Sequence, residues 1–434
     1  MLTEAGGTRG KTTTVDSDLP PPPTPPKQGT FSSLRIRNYR LFFSGQVISN
    51  VGTWMNRIAQ DWLVFTLTGN NPVALGIAAA LQFAPTLFLS LYAGVLADRL
   101  DKRKLLIVVQ TAMAGCAVTL GVLDVTGTVQ LWHVYALCFI FGCFVAIETP
   151  VRQSFVGEMV GIGQLTNAVA LNSSSFNLAR VVGPAVAGVL IIWVGTGMVF
   201  LINAATTAAV ITGLFMMRPS ELQRGPRVPR AKGQLREGLR YVKGRTDLVV
   251  VLTLVFCVST FGITFFTTLA IMAANVFHKE ADGYGLLSTM LAVGTLAGAL
   301  LAARRSFNGK PRMRMLFGSA LLFGVLEIGA GLMPTYLSFA LALIPVGLAV
   351  MTFMTTANTT VQLSVSQEMR GRVMGLYMLL FLGGNPIAGP MTGWLANEFG
   401  GRSPLIVGGA TAILAAVILG IVLRWRTKVE NAAV

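Results

Sequence analysis

The sequence predicts an all-α integral membrane protein, with twelve transmembrane helices in two pseudo-symmetric six-helix bundles. Three observations carry this. Only 12% of the 434 residues are charged and 53% are hydrophobic, whereas a soluble domain carries about 25% charged residues. The apolar residues gather into runs long enough to cross a bilayer, which takes roughly 20 residues each. The 34 Lys+Arg, against 18 Asp+Glu, fall almost entirely to one side of those runs.

Taken in order, apolar runs at 39–67, 73–97, 104–125, 131–152, 167–194 and 197–217 supply six spans. After a polar segment, runs at 248–277, 283–303, 314–333, 335–359, 372–398 and 404–424 supply six more. An even number puts both termini on one face. Arg57 and Arg180 fall inside spans, and only Lys279 and Arg402 fall in odd-numbered loops. All other cations lie in the tails, in the even-numbered loops or at the helix ends beside them. Basic residues mark the cytoplasmic side, so both termini are expected in the cytoplasm of a multi-pass protein of the cell inner or cytoplasmic membrane. The lipid bilayer thus accounts for the basic charge, and no nucleic-acid partner is expected.

The division that follows is a disordered, proline-rich cytoplasmic tail (1–33), a bundle (34–217), a basic linker (218–247), a second bundle (248–425) and a short tail (426–434). The first tail carries Pro20-Pro21-Pro22-Pro23-Thr24-Pro25-Pro26, which cannot bury a core. Its Ala5-Gly6-Gly7-Thr8-Arg9-Gly10-Lys11-Thr12 has the look of a phosphate-binding loop but lacks the strand and helix that such a loop joins. No apolar core precedes a cleavage site, so no secretory signal is expected. In the linker, Leu235, Leu239 and Val242 recur at i, i+4, i+7 among basic residues, which predicts a short amphipathic helix on the inner leaflet that tethers the halves. Cys116, Cys138, Cys143 and Cys257 and the lone His133 and His278 show no metal-ligand spacing. No cofactor, metal site or enzyme activity is expected.

The halves echo each other. Thr149, Val151, Ser154, Glu158 and Met159 match Thr359, Val361, Ser364, Glu368 and Met369 at a constant offset, and Gly183-Pro184 is answered by Gly389-Pro390. Two parallel six-helix repeats with a site at their interface are one transporter plan.

Between spans two and three the chain reads Gly94-Val95-Leu96-Ala97-Asp98-Arg99-Leu100-Asp101-Lys102-Arg103-Lys104. This resembles the G-x-L-a-D-R-x-G-R-[RK] signature of the major facilitator superfamily, with Asp101 in place of the usual glycine. Together with Thr149-Pro150-Val151-Arg152, the stretch Asn177–Pro184 and Glu368-Met369-Arg370-Gly371-Arg372, it is similar to the branch of the enterobactin exporter and bacterial drug-efflux proteins. The resemblance covers about residues 34–425. It implies that Gly94, Asp98, Arg99 and Arg103 latch one conformational state. The physical reading beside it has Asp98 cap the next segment or pair with basic groups. Gly183-Pro184-Ala185-Val186-Ala187-Gly188 resembles the span-five motif of the family's exporters, where small residues allow close helix approach and proline permits a bend. An arginine common in span four of proton-coupled relatives is replaced by Cys138.

An ionisable group within a span costs about 2.5–3.5 kcal/mol on insertion scales, so each is a candidate. Arg57 and Asp61, at i, i+4, share a face and can pair, as a coupling device or as a self-neutralised structural pair. Trp54 and Trp62 flank them. Arg180 lacks a carboxylate one turn away, so its partner is another helix or an anionic substrate. Glu327 suits a proton carrier and equally a packed, protonated side chain. Glu148 has Arg152 one turn on. Gln60, Gln82, Asn172, Asn177 and Asn358, with Ser173, line a pathway or join helices. The expectation is a secondary transporter, acting as a monomer, that exports a small amphipathic molecule such as a drug-like compound or siderophore by alternating access in exchange for protons. Proton-coupled uptake of a nutrient or lipid precursor, and a non-transporting membrane sensor, are the alternatives.

Overall fold

The computed structural model describes residues 29–223, 234–304 and 313–432. Most of the proline-rich tail, and the part of the linker that bears Pro226 and Pro229, lie outside the described residues. The described residues form helices and no strands. Helix one is Arg37–Thr68, helix two Pro72–Arg99 and helix three Lys102–Val125. Leu131–Met216 then runs for 86 residues, about 130 Å at 1.5 Å per residue and far beyond one bilayer. It breaks at Gly161 (φ 68°, ψ 174°) and Gly195 (φ 80°, ψ 168°), a conformation open essentially to glycine. The pieces are helices four (131–160), five (162–194) and six (196–216). Helix seven spans Thr246–Val276, eight Ala281–Arg304, nine Met313–Gly331, ten Tyr336–Ser364, eleven Gln367–Phe399 and twelve Ser403–Ala432.

Nine of the continuous stretches among the described residues are long and apolar enough to cross a membrane. The breaks in the 86-residue stretch, with helix one added, are consistent with twelve crossings. Helix one falls short on apolarity because its buried face carries Gln46, Asn50, Asn56, Gln60 and Asp61. Large apolar side chains such as Val108, Ile140, Trp193, Leu300 and Ile418 point outward, the arrangement a lipid surroundings selects.

Local chemistry sets the helix starts. Asn71 accepts N–H bonds from Val73 and Ala74, with Pro72 at the first helical position. Asp101 accepts from the Lys104 N–H at 3.1 Å and so caps helix three. The cap expected of Asp98 rests on a side chain outside the described ones; the cap seen is made by the residue that departs from the family signature.

The first half packs in an alternating order. Helix one lies parallel to helix five, where Tyr39 Oη donates to the Ala168 carbonyl (2.9 Å) and Asn50 Nδ2 to Ser175 Oγ (3.1 Å). It runs antiparallel to helix six, against which Gly45 and Gly213 allow backbone contact. Helices two and four run parallel through Gly142 on Gln82. The second half repeats this: Gly408 of helix twelve packs on Phe261 of helix seven, Gly294 of helix eight on Ile344 of helix ten, and Gly324 of helix nine on Gly409.

Between halves, helix five meets helix eight and helix two meets helix eleven. A Cβ on Gly188 would stand 2.9 Å from the Ala281 carbonyl oxygen, and one on Gly389 2.6 Å from that of Gly76. Both motif stretches thus pack across the interface, although Gly183 itself meets helix one of its own half while Gly389 meets helix two of the other. Their partners Gly285 and Gly76 form a further repeat-related pair that the sequence comparison missed. These contacts close the bundle toward the face opposite the termini, where Asn275 Nδ2 also donates to the Asn70 carbonyl (2.9 Å).

Two features differ from the sequence expectation. Helix seven is interrupted: a π-type turn at Val258–Gly262 leads into non-helical Ile263 and Thr264 before Phe265–Ile271 resumes. Helix eleven breaks at Gly384, just ahead of Asn385-Pro386, where proline withholds a backbone donor. The linker helix is present at Gln234–Lys243, with Leu239 exposed, Val242 buried, and Glu237 holding Arg372 at the start of helix eleven at 2.6 Å.

Candidate substrate site between the halves

A cavity of about 170 Å³ lies where helices one, two, seven and eleven meet. Arg57, Ala79 and Phe83 line it from the first half. Ile263, Thr264 and Phe266 from the break in helix seven, and Phe381 and Asn385 from the break in helix eleven, line it from the second. Interrupted helices at such a depth are tolerated where they border a cavity.

Arg57 is the most connected polar group here. Its Nε is 3.2 Å from Asp61 Oδ2, one turn on. Its guanidinium donates to Gln82 Oε1, to which Gln60 Nε2 also reaches at 3.4 Å. The same cation stands over the rings of Phe83 (5.6 Å) and Phe266 (5.4 Å), contacts worth roughly 2 kcal/mol when desolvated. Asp61 is only 1% exposed. Tyr284 of helix eight donates to Asp61 Oδ2 at 2.8 Å, with the Phe266 carbonyl oxygen 3.2 Å from the same hydroxyl. The carboxylate of helix one is thereby hydrogen-bonded across the interface between halves. Removing one member of such a buried pair costs about 3–5 kcal/mol, because the other charge is left unpaired.

Aromatic rings continue the site. Trp54 lies 5.4 Å from Phe176 and 5.4 Å from Phe266. Arg180 stands 5.7 Å over the Trp54 ring. The order is cation, ring, ring, cation, from Arg180 through Trp54 and Phe266 to Arg57.

The other expected residues lie elsewhere. Trp62 stacks edge-on with Phe65 and packs against the core. Glu148 pairs with Arg152 at 2.7 Å. Asn172 accepts from Tyr39, Asn177 donates to the Ser173 carbonyl of its own helix, and Asn358 accepts from Gln362. Glu327 is buried among helices seven, nine and twelve. A Cβ on Gly262 or Gly408 would sit 3.3 Å or 3.2 Å from its carboxyl oxygens, and Oε2 has no hydrogen-bond partner among the described residues. Arg103 donates to the Leu214 and Phe215 carbonyls (2.6 and 3.0 Å), closing the end of helix six, while Arg99 is exposed. Gly94 and Asp98 fall in helix two, but their side chains lie outside the described ones. Gly183 receives Trp54: a Cβ there would stand 2.5 Å from that of Trp54.

Phe83, Phe266, Tyr284, Phe381 and Asn385 escaped sequence reading. Asn385-Pro386 carried a usable signal, a helix breaker inside a span. The phenylalanines carried none, being ordinary membrane residues.

A family model described as transmembrane secretion effector matches residues 28–433. The chain belongs to this family of the major facilitator superfamily. The transporter is 26% identical to the staphyloferrin A transporter of Staphylococcus aureus over 90% of its own length and 98% of the relative's. It is 23% identical to macrolide efflux protein A of Streptococcus pyogenes, over 89% and 96% of the two chains. It is 25% identical to the multidrug efflux pump Tap of Mycobacterium tuberculosis, over 86% and 92%. Among solved structures, a bacterial homolog of the human lysosomal transporter Spinster superposes with a TM-score of 0.68 at 16% identity, covering 88% of this transporter and 94% of that chain. A POT family peptide transporter gives 0.72 at 12%, covering 89% and 97%. These two likenesses establish the fold.

Proposed function

We propose that this transporter exports a small amphipathic molecule across the cytoplasmic membrane, by alternating access and in exchange for protons. In this reading both termini are cytoplasmic, which the positions of the basic residues support, and the cavity is complete within one chain, which supports action as a monomer. Relatives named for efflux of macrolides and of multiple drugs support the outward direction. The observation that carries the coupling is the Asp61 carboxylate, held between Arg57 of its own helix and Tyr284 of the other half. A proton on Asp61 removes the charge that neutralises Arg57 and weakens the bond to Tyr284. Helices one and eight are then released at the closed face. The driving force is the membrane gradient, worth about 2.3 kcal/mol per charge per 100 mV. In the opposite state, Gly94, Asp98, Arg99 and Arg103 serve as the cytoplasmic latch.

The test uses inside-out vesicles energised to an acidic interior, with a pH-sensitive dye reporting proton release as lipophilic cations, antibiotics, siderophores and aromatic acids are added. The transporter releases protons with a subset of these compounds. Asp61→Asn abolishes that release, whereas Glu327→Gln, an isosteric change away from the cavity, preserves it. Coupled transport that persists in Asp61→Asn refutes the assignment.

A further inference from the structure

We propose that the Arg180–Trp54 end of the aromatic stack is a subsite for a carboxylate-like anionic group. The substrate class is then an organic anion with an aromatic or broad apolar body. This rests on the transport reading above, since it takes the stack bordering the cavity as the place where substrate binds.

The charges of the spans decide the sign. Asp61 is committed to Arg57 and Tyr284. Asp124 accepts from Thr196 at 2.5 Å, Glu148 holds Arg152, Glu158 holds Lys102 at 2.6 Å, and Glu327 sits among helices seven, nine and twelve. That leaves Arg180 with no ion pair and no hydrogen bond among the described residues; its one contact of this kind is the Trp54 ring. A guanidinium offers five N–H donors in a planar fork that fits a carboxylate bidentately. A second donor is left open beside it: Trp54 Nε1 is buried without an acceptor. Two unmatched donors, on one cation and the ring beneath it, ask for an acceptor-rich negative group. The faces of Trp54, Phe176 and Phe266 around them offer apolar contact to the body that carries it. A cationic drug would meet the opposite, an uncompensated positive charge.

The experiment measures equilibrium binding to the purified full-length transporter in lipid nanodiscs, with 1-naphthoate and 1-naphthamide as probes. They share a ring system and differ in charge. Naphthoate binds at least about tenfold more tightly than the amide, as a charge-assisted pair implies. Arg180→Gln removes that preference and leaves amide binding unchanged, while Arg180→Lys retains part of it. Trp54→Phe, which keeps a ring and deletes the N–H, weakens naphthoate a few-fold and spares the amide. Should Arg180→Gln fail to give monodisperse protein, Arg180→Lys and Trp54→Phe decide. Equal binding of the two probes, binding of neither at millimolar concentration, or a preference that survives Arg180→Gln overturns the proposal. Vesicle transport separates it from the export reading. Naphthoate-selective binding without proton exchange counts against coupled export alone, whereas proton exchange driven by the amide and not by the acid counts against this subsite alone.

Discussion

The closed face depends on glycine at five places, Gly76, Gly188, Gly285, Gly389 and Gly393, and Gly188 tests that dependence most directly. An alanine there would put its Cβ 2.9 Å from both the Ala281 carbonyl oxygen and the Asp282 Cα. Ordinary contact begins at 3.4 Å, so helices five and eight must part by about half an ångström, and neither obstacle is a side chain that can rotate away. Overpacking of this kind costs about 1–3 kcal/mol. The methyl group is accommodated once the halves separate on this side, so nearly all of that penalty falls on the closed state. At 1.4 kcal/mol per factor of ten, the closed population falls about 5- to 150-fold relative to the open one. Labels on cysteines replacing Asn70 and Asn275, which touch across this face, report the change as a longer distance in double electron–electron resonance. The native cysteines are first replaced. Gly389→Ala, at the symmetric contact between helices two and eleven, shifts the distribution the same way. An unchanged distance distribution in both variants would refute the claim that these glycines set the closed state.

Two further predictions concern stability. Gly161→Ala forces a side chain into a φ of 68° and onto Gln223; it lowers the thermal unfolding temperature by an amount matching about 1–3 kcal/mol, whereas Gly115→Ala, in open space, does not. Arg402 donates to the Gly331 and Met333 carbonyls at 2.9 and 2.6 Å and stands over Phe277. Arg402→Gln therefore destabilises by about 1.5–3 kcal/mol, read as a lower unfolding temperature in detergent, with proton-coupled transport retained below that temperature.

What could be read in advance divides along a physical line. The spans were legible because a bilayer demands a long apolar run, and that demand is written residue by residue. The Arg57–Asp61 pair was legible because i, i+4 spacing is local. The Gly-Pro copies were legible as a repeat, but not that Gly183 seats Trp54 within its own half while Gly389 meets Gly76 across the interface. Tyr284, by contrast, meets Asp61 across 223 positions of chain, and nothing in either neighbourhood announces the other. Which asparagine lines a cavity depends on helix rotation, which local sequence does not give: Asn172 accepts from Tyr39 of helix one, while Asn177 donates within its own helix. The interruption of helix seven carries no proline to announce it; its π-type turn lies where Phe261 and Gly262 meet Gly408 of helix twelve, a contact that local sequence does not show. Val242 illustrates the remaining ambiguity, since an apolar stripe reads the same whether lipid or protein covers it.

The site and the gate share a helix, and that shared helix explains why the motif needs both a glycine and a proline. Trp54, the central ring of the stack, rests its Cβ on Gly183. The next residue, Pro184, presents its carbonyl to Gly285 of helix eight, and Gly188, one turn further, meets Ala281. Gly183 lets the ring of helix one lie directly on the backbone of helix five. Pro184 leaves one carbonyl of the preceding turn without its helical donor, so the helix can bend at the level where the ring presses. Under the proposed transport reading, a ligand that displaces Trp54 acts on the segment whose backbone closes the face opposite the termini. No chain of intermediate side chains is needed to join occupancy to closure, because Gly183, Pro184 and Gly188 lie within two turns of one another. Widening Gly183 to alanine then breaks the link at the site end, just as widening Gly188 breaks it at the gate.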